Sequence, residues 1–263
     1  MRCDFHLHTN MSDGRVTPEA LVFKASARNL DLIAVTDHDT TAGFEAARAE
    51  GEWLGVKVIP GVELSASVGD KHVHLICLGF DNEDAALQTL LEKIRASREK
   101  AGRETLERLS LAGYGAEVEL GVNERALCRP HLADALVRAG HARTRNEAFD
   151  RFLSSDTYRS QYSLPKAEDA IATVHAAGGI AIYAHPSMDE LDSIAPYLKD
   201  HGLDGIEVFR AAWPKSPRGL YIEDAAKRLD LMVAGGSDWH GIGTLGEFAL
   251  TREQAGPLVE RVA

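Results

Sequence analysis

The stretch CDFHLH, at residues 3–8, decides the interpretation of the fold. Its polar and apolar side chains alternate, and a β-strand turns successive side chains to opposite faces. Asp4, His6 and His8 therefore share one face, while the apolar side chains between them share the other. Two imidazoles at the carboxyl end of a first strand lie where a β/α barrel carries its active site.

Six further apolar runs are predicted to be strands. They are LIAVT (32–36), VKVIPGVEL (56–64), VHLICLGF (73–80), IAIYAH (180–185), GIEVF (205–209) and LMVAGG (231–236). Helical patterns separate several of them, including one that Thr17 and Pro18 open and one over residues 166–177. Strand–helix–strand spacing of this kind indicates parallel β/α units, and seven such strands favour a closed barrel over an open sheet.

Residues 95–162 differ from the rest, because the sequence there contains no strand-like run. Pro130 opens one helical pattern, and Thr144 with Glu147 predicts a capping box for another. We predict a small helical insertion (the cap, residues 95–162) on a barrel formed by residues 1–94 and 163–263. The alternative is a long but ordinary crossover connection.

Composition narrows the class of protein. The chain has 263 residues, of which 44% are hydrophobic and 26% charged, which is ordinary for a globular protein. Its formal net charge of -11 argues against a protein that coats long nucleic acid or lies on an anionic membrane, but not against a small anionic substrate. Three widely spaced cysteines suggest neither a disulfide framework nor a thiolate zinc site. With no apolar run near ~18 residues and no signal-peptide pattern, a cytoplasmic protein is expected.

Histidine, aspartate or glutamate stands at or near the carboxyl end of six of the seven predicted strands. These residues are His6 and His8, Asp37 to Asp39, Glu63, His72 and His74, His185, and Asp238 with His240, and Asp13 lies in the first loop. Imidazole and carboxylate are ligands of Zn, Mn and Fe ions. The set exceeds what one ion takes, so a cluster of two or three metal ions is predicted, of the kind that serves phosphoryl displacement.

Each residue also has a structural interpretation, since a single strand-end histidine is more often hydrogen-bonded than metal-bound. Asp37 and Asp39 are opposite in parity to His38, so we expect them behind the ligands or in the turn. Asp4 lies deeper on the strand and is expected to play a similar supporting part. His72 is expected at the rim.

The motifs HxH (6–8), SDG (12–14), TDHD (36–39), GVE (61–63), VH (73–74), AHP (184–186) and SDxH (237–240) together resemble the PHP (polymerase and histidinol phosphatase) family. The resemblance implies a distorted (β/α)7 barrel with a trinuclear metal centre. It implies three ligand groups: His6, His8, Glu63 and Asp238; Asp13, His38 and His240; and Glu63, His74 and His185, with Glu63 bridging. Mn is the expected metal, with Fe or Zn as alternatives.

The helical insertion resembles the branch of that family that hydrolyses nucleoside 3′,5′-bisphosphates, some relatives of which trim RNA from its 5′ end. Arg129-Pro130-His131 stands where that branch has an Arg-x-His. The resemblance implies that Arg129 grips a phosphate and that His131 binds the same group or protonates a leaving oxygen. The branch's Gly-Lys-Pro-like stretch is absent, and Arg159 or Lys166 is the predicted substitute.

The expected activity is therefore metal-dependent removal of the 3′-phosphate from a nucleoside 3′,5′-bisphosphate, with short 5′-phosphorylated RNA as a possible second substrate. One alternative is another phosphomonoesterase of the family, such as a histidinol-phosphate phosphatase. A second is the proofreading exonuclease module of a polymerase, although no polymerase segment is present. A metal-binding module without turnover is the third, and decay of the ligand set would favour it.

Overall fold

The computed structural model describes residues 1–118, 125–154, 157–209 and 216–262. Over those residues the chain is a mixed α/β protein. Its strands are β1 (Arg2–Asp4), β2 (Leu32–Ala34), β3 (Lys57–Ile59), β4 (Gly61–Val68), β5 (Lys71–Leu78), β6 (Ile180–Tyr183), β7 (Gly205–Phe209), β8 (Met232–Gly235) and β9 (Leu250–Thr251). Its helices are α1 (Pro18–Ala27), α2 (Phe44–Leu54), α3 (Ala85–Leu111), α4 (Arg129–Arg138), α5 (Arg145–Ala148), α6 (Ala167–Ala176), α7 (Met188–Asp200), α8 (Pro217–Arg228) and α9 (Arg252–Val262), with a π-helical turn at Phe149–Leu153.

The strands form two sheets, in the orders β3-β2-β1-β9 and β4-β5-β6-β7-β8. Isolated parallel bridges join the two sheets, Leu7 to Trp239 and His38 to Glu63. The prediction that the strands are all parallel is wrong, because β5 runs antiparallel to both β4 and β6, and β9 runs antiparallel to β1. Closure of the two sheets into a (β/α)7 barrel stays a prediction.

Pro60 explains why the predicted strand at residues 56–64 is in fact two strands. Proline has no backbone N–H and cannot continue a ladder within a sheet. The segment before it, β3, pairs with β2, while the segment after it, β4, pairs with β5 in the other sheet. The break brings Glu63 beside His38, which follows β2.

Buried apolar side chains form three clusters. The largest packs the β4–β8 sheet against α3, α6, α7 and α8, and a second packs α1 and α2 against β2 and β3. The third lies wholly within residues 109–153 and includes Leu132, Leu136 and Phe152. Helix α3 runs through the expected boundary at residue 94 without a break. Its buried stripe contributes Leu91 to the first cluster and Leu109 to the third. The domain boundaries stay a prediction.

Two predicted helix starts are confirmed. The Thr17 hydroxyl accepts a hydrogen bond from Ala20 N at 3.3 Å, and the Thr144 hydroxyl accepts one from Glu147 N at 3.2 Å. Such caps satisfy backbone N–H groups that have no partner inside the helix. Within the described residues, no helix is both long and apolar enough to cross a bilayer.

Candidate metal centre

The Glu63 carboxylate lies at the centre of the candidate site. It projects from β4 and is 1% exposed. Five imidazole nitrogens surround it: His74 Nδ1 at 2.9 Å and His185 Nε2 at 2.8 Å from Oε1, and His6 Nε2 at 3.4 Å, His8 Nε2 at 3.2 Å and His38 Nδ1 at 3.1 Å from Oε2. One carboxylate thus reaches candidate ligands on β5 and on the segments that follow β1, β2 and β6, which is the arrangement that a bridging ligand requires.

Asp238 completes a first group of donors. Its Oδ1 lies 3.2 Å from His6 Nε2 and 3.1 Å from His8 Nε2. The donor atoms of His6, His8, Glu63 and Asp238 all lie within 4.8 Å of one another. This group has the membership that the sequence resemblance implies for one ion.

Asp13 is the centre of a second group. Its carboxylate lies 3.3 Å from His240 Nε2 and 3.8 Å from both His38 Nε2 and His8 Nδ1. The compact set comprises His8, Asp13, His38 and His240, so it adds His8 to the three residues expected there.

The third group lies on the Oε1 side of Glu63. His74 Nδ1 and His185 Nε2 are 3.2 Å apart, and each is within 2.9 Å of that oxygen. The compact set on this side is His38, Glu63 and His74, so His38 stands where His185 was expected, while His185 reaches the set through Glu63 Oε1. The structure thus brings all nine predicted ligands into one cluster, while their division among ions stays a prediction.

Two of these side chains project from strained backbone. Asp238 and His185 have φ angles of 50° and 34°, in the left-handed region that non-glycine residues rarely adopt. His185 N donates a 2.8 Å hydrogen bond to Glu207 Oε2, and this bond helps hold the residue in place. Strain of this kind collects at functional sites, where the surrounding contacts enforce it.

Glu207 is a supporting residue whose role the sequence analysis missed. It is buried on β7, and its other carboxylate oxygen lies 2.8 Å from His6 Nδ1. A carboxylate on the far ring nitrogen orients a histidine so that its second nitrogen faces a metal. The available signal was a glutamate inside the otherwise apolar run GIEVF, since a buried carboxylate needs a partner.

The aspartates expected behind the ligands occupy such positions. Asp37 accepts hydrogen bonds from Thr9 N at 2.8 Å and from the Ser12 hydroxyl at 2.5 Å, and thereby shapes the loop that carries Asp13. Asp4 Oδ1 accepts from His6 N at 3.3 Å and from Ser237 N at 2.9 Å.

Asp39 also lies behind the ligands, where it accepts from Ser65 N at 2.6 Å and pairs with Arg98. Arg98 is 8% exposed. The sequence analysis gave this arginine no part in the site.

The cluster is strongly coupled electrostatically. Burial favours neutral His8, but the carboxylates of Asp238 and Glu63 outweigh it and raise the pKa of His8 to about 10. Burial likewise opposes ionisation of Glu63, yet the neighbouring imidazoles, His38 and His74 first, hold its pKa well below the usual range. The pKa of His38 itself is lowered, chiefly by burial. The cluster therefore contains carboxylate anions and at least one neutral imidazole.

Divalent cations fit this set of donors. Among the described residues, the buried nitrogens His6 Nε2, His8 Nε2 and His38 Nδ1 make no hydrogen bond, although each lies close to carboxylate oxygen. Buried polar atoms are normally satisfied, so these three indicate a missing electrophilic partner. Nitrogen and carboxylate donors without thiolate suit Mn, Fe and Zn.

A cavity of about 330 Å³ opens beside the third group. His74 and His185 line it together with His72, Arg129 and Arg159. Arg129 begins helix α4 and lies over the Phe149 ring, 5.9 Å from its centroid. Burial, and then the nearby charge of Arg159, lower the pKa of Arg129. Two guanidinium groups therefore face a pocket that the candidate metal ligands border.

The two other predicted substrate-binding residues lie elsewhere. His131 Nδ1 accepts a 3.0 Å hydrogen bond from Cys128 N at the start of α4, and the ring lies near Asp13 rather than in the cavity. Lys166 does not join the cavity wall in the described part of the chain. It precedes α6, its side chain is 73% exposed, and its ammonium lies 3.9 Å from Glu168. A role for Lys166 in phosphate binding stays a prediction, which its exposed position away from the cavity does not support.

Comparison with known proteins agrees with this geometry. Residues 4–95 match the PHP domain. The chain is 34% identical to the 5′-3′ exoribonuclease of Haemophilus influenzae, with 90% of this chain and 89% of the relative covered. It is 35% identical to the phosphoribosyl 1,2-cyclic phosphate 1,2-diphosphodiesterase of Eggerthella lenta (90% and 94% covered) and 30% identical to the 3′,5′-nucleoside bisphosphate phosphatase of Chromobacterium violaceum (97% and 93% covered).

A solved structure from Bifidobacterium adolescentis, described as a metal-dependent phosphoesterase, superposes with a TM-score of 0.87. The two chains are 31% identical, and the match covers 99% of this chain and 96% of the other. The mixed α/β fold and the histidine–carboxylate cluster define a hydrolase of the metal-dependent phosphoesterase class. The chain belongs to the PHP family.

Proposed function

We propose that the protein removes the 3′-phosphate of nucleoside 3′,5′-bisphosphates, giving nucleoside 5′-monophosphate and phosphate. Short 5′-phosphorylated RNA is the proposed second substrate. One observation carries the proposal: Arg129 and Arg159 line the same cavity as His74 and His185. A substrate with two phosphates can place one at the candidate metal ligands and the other at the guanidinium groups.

The names of two relatives support this substrate class. The Chromobacterium violaceum relative is named for bisphosphate phosphatase activity, and the Haemophilus influenzae relative for 5′-3′ exoribonuclease activity. Both names describe hydrolysis of phosphate esters of nucleotides or RNA. The net charge of -11 suits mononucleotides and short oligomers better than long nucleic acid.

The proposed cofactors are three divalent ions, with Mn as the expected metal. The residues that would hold them are the nine of the three groups, with Glu63 shared. Bound ions of this kind neutralise phosphoryl charge and lower the pKa of water. The surrounding residues fix the ligands: Glu207 orients His6, and Asp37 shapes the loop of Asp13.

In the proposal, Arg129 and Arg159 hold and orient the substrate through charge-assisted hydrogen bonds to the phosphate that does not react. His131 is neutral, because burial lowers its pKa, and it accepts from Cys128 N through Nδ1. A neutral imidazole used in this way keeps one N–H. That N–H is the proposed donor to the leaving oxygen, for which it would exchange its hydrogen bond with the Ser12 backbone.

The proposed architecture keeps residues 95–162 as a cap over a barrel made by the rest of the chain. The separate apolar cluster at residues 109–153 supports the cap, and the two bridges between the sheets support barrel closure.

Hydrolysis of a cyclic phosphate ester is the second candidate. The observation that favours it is the 35% identity to the Eggerthella lenta phosphodiesterase over 246 residues. A cyclic ester of this kind also presents phosphate groups to metal ions and arginines.

The test measures phosphate release by Mn-loaded protein from adenosine 3′,5′-bisphosphate, with AMP, 3′-AMP and histidinol phosphate in parallel, and ring opening of a ribose cyclic phosphate to its monoester by phosphorus NMR. Release from the bisphosphate that leaves AMP is the expected result. Preferential turnover of the cyclic ester or of histidinol phosphate would replace the proposed substrate but retain the phosphoesterase. Failure to hydrolyse any of them with Mn bound would contradict the proposal.

A further inference from the structure

Arg98 occupies an unusual place on α3. Its position continues the buried stripe of the helix, between Ile94 on the sheet side and Ala101 on the cap side. Arginine is rarely buried unless it is paired. The guanidinium therefore lies between the part of α3 that packs on the sheets and the part that packs in the third apolar cluster.

The guanidinium contacts three separate segments. Nε lies 2.5 Å from Asp39 Oδ2, Nη2 lies 2.7 Å from the Ser65 hydroxyl, and Nη1 lies 3.7 Å from Cys128 Sγ. The Tyr162 ring covers its face, with its centroid 5.1 Å from Cζ. A planar group with five fixed donors can span partners in this way, whereas an ammonium cannot reach all of them.

Each partner adjoins a residue of the candidate site. Asp39 follows His38, Ser65 lies two residues after Glu63, and Cys128 precedes Arg129. Asp39 also bonds both the N–H and the hydroxyl of Ser65, at 2.6 and 3.0 Å. Asp39 N donates to Glu63 O at 3.1 Å, so these contacts define the path of the backbone between the two ligands.

From these contacts we infer that Arg98 is a positioning residue, which sets the distance between the metal ligands His38 and Glu63 and the phosphate-gripping Arg129. The part that concerns Arg129 rests on the proposed function. The part that concerns the metal ligands does not. Arg98 acts through Asp39, Ser65 and Cys128 and touches neither substrate nor ion.

Two substitutions test separately how Arg98 positions the metal ligands and how it positions Arg129. Arg98→Lys keeps a cation that can reach Asp39 and Ser65 but loses the contact with Cys128 and the stacking on Tyr162. Arg98→Met removes all the polar contacts. The matched control is Arg103→Met on the same helix, because Arg103 is 72% exposed and pairs with Glu99 alone among the described side chains.

The experiment measures Mn affinity by calorimetry, and KM and kcat for adenosine 3′,5′-bisphosphate and for an aryl phosphate, with folding checked by circular dichroism. Arg98→Met should weaken Mn binding by ~10–100-fold, the usual loss when a residue that supports a metal ligand is removed. Arg98→Lys should keep Mn affinity within about threefold yet raise KM for the bisphosphate by ~10-fold or more, with the aryl phosphate unchanged, the size expected for a lost charge-assisted contact. Arg103→Met should match wild type.

A purely structural role would lower the melting temperature but leave Mn affinity and both KM values unchanged, and that result would overturn the inference. If Arg98→Met does not fold, Arg98→Lys and the neutral pair Asp39→Asn/Arg98→Gln still decide it. The neutral pair should keep the fold and lose Mn affinity by the same factor. A wild-type protein inactive on the bisphosphate would contradict the proposed function alone, because the Mn measurements still test Arg98.

Discussion

At the scale of single residues, the candidate centre depends on how one carboxylate is surrounded. Glu63 is 1% exposed and lies within 3.4 Å of five imidazoles. Leaving a charge in such a place is costly unless partners compensate for it. The five histidines are those partners, and the same nitrogens would be ligands of divalent ions.

His185 is the ligand whose loss tests the third group most directly. His185→Ala should lower kcat for phosphate release by at least ~100-fold, which corresponds to about 2.7 kcal/mol of transition-state stabilisation. The fold should survive, since the side chain is 25% exposed and its removal leaves no sealed cavity. Circular dichroism and steady-state phosphate release check both points.

His201→Ala is the matched control, because His201 is an exposed histidine that bonds only Tyr197 O among the described groups. Its activity should equal that of wild type. A folded His185→Ala protein with normal turnover would remove His185 from the metal centre.

Arg159 and Lys166 differ in where they lie relative to the cavity, although the sequence predicts either of them as a phosphate-binding residue. Both were candidates for the missing phosphate-binding lysine, but only Arg159 lines the cavity among the described residues. Arg159→Ala should raise KM for the bisphosphate by ~10–100-fold, from the ~1.5–3 kcal/mol of a hydrogen bond to a charged group. Lys166→Ala should leave KM within about twofold. The reverse pattern in a KM comparison would show that the substrate approaches from the α6 side.

At the scale of secondary structure elements, helix α4 connects the cap to the metal centre. Arg129 is its first residue. His131 Nδ1 accepts a hydrogen bond from Cys128 N, and the His131 ring lies near Asp13. A histidine in this role must be neutral, since Nδ1 has to accept a hydrogen bond.

The N-terminus of α4 should therefore become less stable in acid. Burial lowers the pKa of His131 below the usual 6.5, so below about pH 6.5 the unfolded chain binds a proton that the folded chain does not. The contribution of this residue is present above that pH and is lost as the pH falls toward the lowered folded value. His131→Asn retains an acceptor for Cys128 N but cannot titrate.

Urea unfolding at pH 7.5 and pH 5.5, with chelator present throughout, measures this effect. The free energy of unfolding of wild type should fall more than that of His131→Asn between the two values. Parallel pH profiles for the two proteins would show that His131 is not held neutral in the fold.

Elements also show what the sequence could predict and what it could not. The residues of β7 were predicted with their observed bounds, and the caps at Thr17 and Thr144 form, because these features depend on local side chains. The antiparallel direction of β5 was missed, since strand direction is set by partners distant in the chain. The exchange of sheets at Pro60 was missed for the same reason.

The same division holds within the site. The nine candidate ligands could be named because they recur at strand ends in a specific set of motifs. The roles of Glu207 and Arg98 could not be assigned, because a buried charge indicates that a partner exists but not which distant residue it is. Their roles appear only when distant segments meet, as when Glu207 reaches His6 and Arg98 reaches Asp39.

At the scale of the whole molecule, the candidate ligands come from residues 6 to 240, and thus from both sheets. An unfolded chain cannot hold the donor atoms of each group within 4.8 Å of one another, so metal should bind the folded state far more tightly. Metal binding would then stabilise the fold by holding together the sheet that contains β1, β2 and β3 and the β4–β8 sheet. Among the described residues, the β-ladder contacts between these two sheets are isolated bridges.

Mn should therefore raise the melting temperature markedly. At a free concentration ~100 times the dissociation constant, preferential binding adds about 2.7 kcal/mol to the free energy of unfolding. For a chain of this size that corresponds to a shift of ~5–10 °C. Differential scanning fluorimetry with chelator and then with increasing Mn gives the curve. Glu63→Gln, which removes the shared charge at the centre of the cluster, should abolish most of the shift. A shift that persists in that variant would mean that Mn stabilises the protein at some place other than this centre, and the two sheets would then be joined by the isolated bridges and by packing without a contribution from the metal.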